Sequence, residues 1–405
     1  MSKLRVMSLF SGIGAFEAAL RNIGVEYELV GFSEIDKYAI KSYCAIHNVD
    51  EQLNYGDVSK IDKTFLPEFD LLVGGSPCQS FSVAGHRKGF EDTRGTLFFQ
   101  YVETLKEKQP KFFVFENVKG LINHDKGNTL NVMAEAFSEV GYRIDLELLN
   151  SKFFNVPQNR ERLYIIGVRE DLIENDEWVI ENGRNDVLAK GKNRLKELYI
   201  KSFNFKWPLQ AIINKRLREI LEDFVDEKYY FNEEKTRKLV EQLAASPQQK
   251  HETREPLMVG HVDLKGHDAI KRVYSPEGVS PTLTTMGGGH REPKIAVKCV
   301  GNLNPSGNGM NGKVYDSNGL SPTVTTNKGE GHKIIEEQPK YKIRKLTPLE
   351  CFRLQAFDDE DFEKVFAEGI SNTQLYKQAG NSITVTVLES IFKELIHTYV
   401  NEECE

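Results

Sequence analysis

The sequence predicts a doubly wound α/β domain followed by a second, smaller β-rich region, and three observations carry that prediction. Apolar runs of strand length alternate with helix-period stretches through the first 170 residues, the pattern of a sheet wrapped by helices. A glycine turn, Phe10-Ser11-Gly12-Ile13-Gly14, separates the first run from the first helical stretch. Beyond residue 259 the chain becomes rich in Gly, Pro and Thr and repeats itself.

The strands expected, in order, are Leu4–Leu9, Glu28–Phe32, Asp70–Val73, Phe112–Phe115, Arg143–Leu149 and Leu163–Val168. Short apolar runs of this kind suit a parallel sheet buried on both faces. Helical periodicity occupies Phe16–Asn22, Lys37–His47, Phe98–Lys106 and Thr129–Val140. From about Glu170 the pattern changes: Asp171–Lys206 reads as polar and irregular, and Pro208–Ala245 as helical. The stretch Arg272 to Thr285 (RVYSPEGVSPTLTT) then recurs as Lys313 to Thr326 (KVYDSNGLSPTVTT) at a constant offset of 41 residues, and Val259-Gly260 and Val300-Gly301 extend the match. Two copies are too few for a solenoid, so they predict a duplicated β-rich unit with paired loops. After Pro339 helices return at Thr347–Phe357 and Ser382–Thr398, separated by Gln378-Ala379-Gly380-Asn381-Ser382.

Composition narrows the function classes. No apolar run approaches the length of a membrane span, and the N-terminal apolar stretch is too short for a signal peptide. The five cysteines (Cys44, Cys78, Cys299, Cys351, Cys404) form no CxxC pair, so neither a disulfide framework nor a metal site is expected, and a reducing cytoplasm fits. A net charge of −7 argues weakly against nucleic acid. Its distribution matters more: Val259 to Lys345 carries 13 Lys/Arg against 8 Asp/Glu.

Three segments carry chemistry. Gly74-Gly75-Ser76-Pro77-Cys78-Gln79-Ser80-Phe81-Ser82 holds a thiol at a strand end, before a glycine-rich stretch suited to a lid. A lone cysteine is also a common buried hydrophobe, and that stretch could be a plain surface loop. Glu116 ends a very apolar strand, at the rim where α/β sheets bind ligands; a helix N-terminal acid would look the same. Arg160 and Arg162 alternate at strand period in Gln158-Asn159-Arg160-Glu161-Arg162 and so face one side, unless they only pair with Glu161 on the surface. A thiol, a carboxylate beside an amide and two arginines would suit attack on a pyrimidine ring. The glycine turn at Phe10–Gly14 suits close approach of a ligand, or an ordinary β–α turn. Glu34 after the second strand is well placed for ribose hydroxyls and Asp57 for an adenine amine. With no phosphate-cradling loop, a nucleoside without phosphate is the better ligand.

On these residues the chain resembles the cytosine-C5 DNA methyltransferases of bacterial restriction–modification systems, over nearly its whole length. Phe10–Glu17 resembles that family's cofactor motif, Pro77-Cys78-Gln79 its nucleophile motif, Glu116-Asn117-Val118 its ENV motif and Gln158 to Arg162 its QxRxR motif. Arg344–Glu350, Arg353-Leu354-Gln355 and Gly380-Asn381-Ser382 resemble the segments after target recognition. Phe357 follows Ala356 where the family often has glycine, and Ser76 replaces a frequent bulky residue.

The resemblance implies a Rossmann-like class I methyltransferase sheet over residues 1–170, a β-rich target-recognition domain over 171–340, and a return of 341–405 into the catalytic domain. It implies S-adenosyl-L-methionine as cofactor, held by Phe10, Ser11, Gly12, Gly14, Glu34, Ile35, Asp57, Val58, Gly75, Pro77, Leu97, Asn381 and Ser382. The C-terminal helix would then pack beside the first strand. Cys78 would attack C6 of a flipped-out cytosine, which makes C5 nucleophilic. Glu116 would hold N3 and the exocyclic amine, best if protonated; Arg162 would grip O2, and Arg160 would fix the pocket and the thiolate's field. Gln79, Ser82, Arg87, Arg94, Thr284, Arg291, Thr325 and Lys328 are the residues expected at double-stranded DNA. The two Ser-Pro-Thr-Leu/Val-Thr-Thr elements would lie near that DNA, or be plain β-strands. A monomer in a bacterial cytoplasm, near the nucleoid and paired with a restriction endonuclease, follows from the same resemblance. The rivals are a tRNA cytosine-C5 methyltransferase, which would have a smaller recognition insert, and a DNA-binding regulator that no longer catalyses.

Overall fold

A computed structural model describes residues 3–76, 97–173, 177–180, 186–211, 214–245, 255–286, 289–299, 314–316, 333–335 and 340–399. Its main sheet has six strands: β1 (Leu4–Leu9), β2 (Tyr27–Ser33), β3 (Leu71–Gly74), β4 (Phe112–Val118), β5 (Tyr142–Asn150) and β6 (Glu161–Arg169), in the order β2-β1-β3-β4-β6-β5. All six fall where the apolar runs predict. The sheet is not wholly parallel, however, because β6 runs antiparallel to both β4 and β5. Periodicity reports which residues are buried, not which way a strand runs, so this correction needed the fold.

Strand alternation builds two cores. Val6, Val114, Ile166 and Val168 face one side, with α1 (Ala15–Asn22) and the C-terminal helices. Met7, Leu9, Phe113, Phe115 and Ile165 face the other, with α3 (Leu97–Lys108) and α4 (Asn128–Glu139) packed on that face, whereas α2 (Lys37–His47) lies with α1, its Ile46 in the first core. In the second core Phe98 meets Phe115 and Phe137, and Tyr101 meets Phe113 and Phe115, edge to face, the favoured geometry for aromatic quadrupoles.

Past β6 three expectations change. The polar stretch after residue 171 contains α5 (Val187–Glu197), which buries Leu188, Ala189 and Leu195 beneath a charged face. The described residues between 208 and 232 are irregular with short 3₁₀ turns, and a regular helix, α6 (Glu233–Ala245), appears only at the end of the stretch expected to be helical. Near the C-terminus, α7 (Pro348–Leu354) stops early because Ala356 adopts φ 61°, α8 (Asp359–Ala367) follows, and Gln378–Asn381 forms the last turn of α9 (Asn372–Asn381), not a separating loop. The last helix, α10 (Val385–Tyr399), starts three residues later than Ser382.

A second sheet has the order β12-β9-β8-β7, from β7 (Met258–His261), β8 (Arg272–Tyr274), β9 (Lys294–Cys299) and β12 (Lys340–Lys345). It carries its own small apolar cluster of Leu239, Leu243, Val262, Leu264, Val273, Ala296 and Ile343. In the first repeat Val273 of β8 pairs in parallel with Lys294 of β9; in the second, Val314 of β10 (Val314–Asp316) pairs in parallel with Lys333 of β11 (Lys333–Ile335). The repeated sequence thus yields the same kind of strand pair twice.

The C-terminal helix does return to the first strand's neighbourhood, but its direct partner is α1. Phe16 and Phe392 lie with ring centroids 6.3 Å apart, and Leu388, Ile391 and Leu395 join the cluster that includes Val6. No helix among the described residues is long and apolar enough to cross a membrane.

Candidate active site

Glu116 and Arg162 meet because of the antiparallel register. Glu116 opposes Tyr164 and Val118 opposes Arg162, so all four side chains leave the same face and Glu116 and Arg162 are diagonal neighbours. The pair closes at 3.1 Å between Arg162 Nε and Glu116 Oε1, with only about a seventh of each side chain exposed. Burial raises the Glu116 carboxyl above the ordinary carboxylate range, against the opposing pull of Arg162 and Arg160. A carboxyl so placed retains its proton more readily than one in water and can donate a hydrogen bond.

The residues that lead from β3 towards Cys78 lie against this pair. Gly75 follows β3, and a Cβ there would come within 2.6 Å of the Glu116 carbonyl oxygen, so the two chains touch at backbone distance. Asn117, 3% exposed, donates from Nδ2 to Ser76 O at 3.1 Å and accepts from Val118 N at 2.9 Å. Its amide therefore fixes the chain that leads into Pro77 and Cys78. Sequence reasoning placed Asn117 in a motif without giving it this role, and only its type, an amide next to the carboxyl, hinted at it. Pro77, Cys78, Gln79, Ser82, Arg87, Arg94, Thr325 and Lys328 lie outside the described residues.

Arg160 behaves differently from Arg162, although only Glu161 separates them. It is 3% exposed and directs its guanidinium to backbone carbonyls: Nη1 to Leu283 O at 3.1 Å, Nη2 to Ser382 O at 2.8 Å and to Gly380 O at 3.3 Å. Burial, then the like charge of Arg162, brings it down to about 10, so it stays charged at neutral pH. Gln158, fully buried, donates to Leu354 O at 2.8 Å and accepts from Leu283 N at 3.1 Å. Thr284 and Arg291 are exposed.

A second constellation forms on the other side of β3, where β1 ends beside Gly74. Phe10 and Gly12 adopt left-handed φ values of 56° and 57°, turning the chain sharply out of the sheet. Gly14, at φ 82°, opens α1; a Cβ there would sit 2.0 Å from His47 Nε2, so no side chain fits. His47 in turn lies 3.2 Å from Ile13 O, and burial lowers it to about 3, which leaves a neutral ring as packing. Glu34 organises the turn: Oε2 accepts from Gly12 N at 2.9 Å, and Oε1 accepts from Ile35 N and Asp36 N at 2.8 Å each. Open space lies over Gly12, and Ile35 beside it is 75% exposed. An uncovered apolar side chain, a half-exposed Phe10 and a preorganised carboxylate fit a ligand with a ring and a diol. Asp57 accepts from Ser59 N and Oγ, capping a 3₁₀ turn that begins with buried Val58. Lys377 pairs with Asp36 at 2.6 Å and Gln378 Nε2 donates to Tyr38 O at 2.9 Å, so α9, ending at Asn381 and Ser382, braces this wall. Leu97, partly buried, opens α3.

The family model for C-5 cytosine-specific DNA methylase matches residues 4–397. The chain belongs to that family. Among relatives of this methylase, the orphan methyltransferase M.Rho11sI of Bacillus phage rho11s is 68% identical, with all of both chains covered. The type II methyltransferase M.Bsp6I of Bacillus sp. (strain RFL6) is 33% identical over 97% of this chain and 100% of that protein. The fold is also that of the Dnmt2 methyltransferase of S. pombe, with a TM-score of 0.57 at 18% identity, covering 98% of this chain and 99% of the other. The Rossmann-like α/β class expected from the sequence stands on both the sheet and this likeness.

Proposed function

We propose that this cytosine-C5 methylase acts on double-stranded DNA, using S-adenosyl-L-methionine and a covalent bond between Cys78 and C6 of a cytosine turned out of the helix. The observation that carries the proposal is the buried Glu116–Arg162 pair at the sheet rim, beside the chain that Asn117 holds on its way to Cys78. Cytosine C5 is a poor nucleophile until the ring's aromaticity is broken, and thiolate addition at C6 achieves this. Glu116, with its raised affinity for a proton, suits the N3 and amine edge, where charge develops as the thiolate adds. Arg162 suits O2, and Arg160 acts on the pocket through the backbone it binds. When bound, the cofactor supplies the methyl group; Phe10, Gly12, Glu34, Ile35 and the wall braced by α9 would hold it. After transfer a base removes the C5 proton, and Cys78 leaves by elimination across the C5–C6 bond.

Residues 171–340 are assigned to target recognition, with the two repeats as its specificity elements. Exchange of segment 259–335 with that of a relative should transfer the methylated site; unchanged specificity would refute the assignment. The pairing with a restriction endonuclease that the resemblance implies is set against the name of a relative at 68% identity, which is an orphan methyltransferase. We therefore favour action without an endonuclease partner.

A duplex carrying 5-fluorocytosine at the target, which blocks loss from C5, tests the chemistry. Wild type with cofactor should give a stable covalent adduct, and Cys78→Ser none. Adduct formation on tRNA but not duplex would reassign the substrate, and no adduct on either would favour a DNA-binding regulator. Bisulfite sequencing of DNA from expressing cells then reads the site.

A further inference from the structure

The Ser280 to Thr285 segment of the first repeat is seated on the catalytic body. Ser280 N donates to Pro157 O at 2.6 Å, Asn159 N donates to Ser280 O at 2.9 Å, and Thr282 Oγ1 donates to Asn159 O at 2.5 Å. The two stretches form a parallel β-bridge, Gln158 to Ser280. Leu283, 1% exposed, is gripped from both sides: its N–H by Gln158 Oε1 and its carbonyl by Arg160 Nη1. Beneath it Gly380 comes so close that a Cβ would lie 1.8 Å from Thr284 O. Gly380 has no unusual φ, so close approach is the reason for glycine there.

We infer that Gln158, Arg160 and Gly380 form a seat for the first repeat, and that this seat sets the recognition region's position relative to the reacting base. The inference rests on the function proposed above. Gln158 and Arg160 are thus positioning residues, and their mode of action follows from spacing. The same extended stretch, Pro157 to Arg162, carries the seat at 158 and 160 and the contact to Glu116 at 162. A shift of the repeat on its seat reaches the Glu116–Arg162 pair within two residues. Errors of this size in a catalytic site are costly to rate even when binding survives.

Two variants test this. Thr282→Val removes one hydroxyl donor and should leave the fold intact, whereas Gln158→Leu removes both amide contacts while keeping the volume. Amide hydrogen exchange at Ser280 and Leu283 reports the seat directly, without reference to activity. Duplex methylation, expressed as kcat per site trappable by 5-fluorocytosine, reports the coupling independently of any loss of folded protein. In both variants exchange at Ser280 and Leu283 should speed up. The kcat per trappable site should fall about tenfold or more, with cofactor Kd held within about twofold. Faster exchange with unchanged kcat overturns the coupling, and unchanged exchange in both variants overturns the seat. If the wild type methylates no duplex, the functional reading fails and takes the coupling with it, while exchange still judges the seat.

Discussion

Glu116 and Arg162 were legible as residue types at a rim, since a charge ending the run Phe112 to Phe115 has few structural uses. Their mutual contact was not, because it depends on the antiparallel register of two strands that are far apart in sequence. Glu116→Gln keeps the size but cannot hold a charge or supply the acidic proton. It should lower kcat about 10²- to 10⁴-fold while cofactor binding by calorimetry stays unchanged. Arg160 was expected to fix the pocket and the thiolate's field, and its guanidinium contacts with three distant carbonyls left no trace in spacing. A second buried carboxyl, Glu17 on α1, was not singled out at all. It is wholly buried, and burial raises it above the ordinary range, opposed by its own backbone N–H and by Ser8 and Tyr43. Between the ordinary carboxyl range and that raised value, the folded chain keeps a proton that the unfolded chain has released. Its contribution is therefore complete at pH below the ordinary range and is lost as pH rises through the raised value. Urea titrations across pH should show this slope in wild type and a flatter one in Glu17→Gln.

At the scale of elements, strands were read well because burial on both faces writes itself into composition, whereas helices with one dry stripe were read unevenly. The segment Val187–Glu197 looked irregular because its charged face outnumbers Leu188, Ala189 and Leu195, the residues that pay for its helix by burial. The start of α7 is the opposite case: every local rule agrees. Thr347 Oγ1 accepts from Glu350 N at 3.2 Å, Glu350 Oε2 accepts from Thr347 N at 2.8 Å, and Pro348 stands at the first helical position. Glu350 also takes a bidentate pair from Arg344, at 2.7 and 2.8 Å, with the two side chains 0% and 2% exposed. Removing one partner strands a buried charge. Glu350→Ala should cost about 3–5 kcal/mol in denaturant unfolding, and the double change Arg344→Met with Glu350→Leu should recover much of it.

For the whole molecule, the feature that organises the fold is the closure of its two ends on each other. Besides the Phe16–Phe392 contact, Arg21 pairs with Asp361 at 2.6 Å and Ser42 Oγ donates to Gln378 Oε1 at 3.0 Å. Gln378 supports α2 through Ser42 and Tyr38. Gln378→Ala should therefore weaken cofactor binding by about tenfold at most, as expected for loss of a hydrogen bond or two, and leave trapping at saturating cofactor unchanged. Binding titrations followed by the adduct assay separate the two effects. That closure also has a bearing on synthesis. As the chain leaves the ribosome, the sheet can cover one part of α1, but the part that meets Phe392 stays uncovered until α10 has been made. Until then that surface is open to holdase chaperones, and docking of α10 is the event that completes the α1 side of the fold.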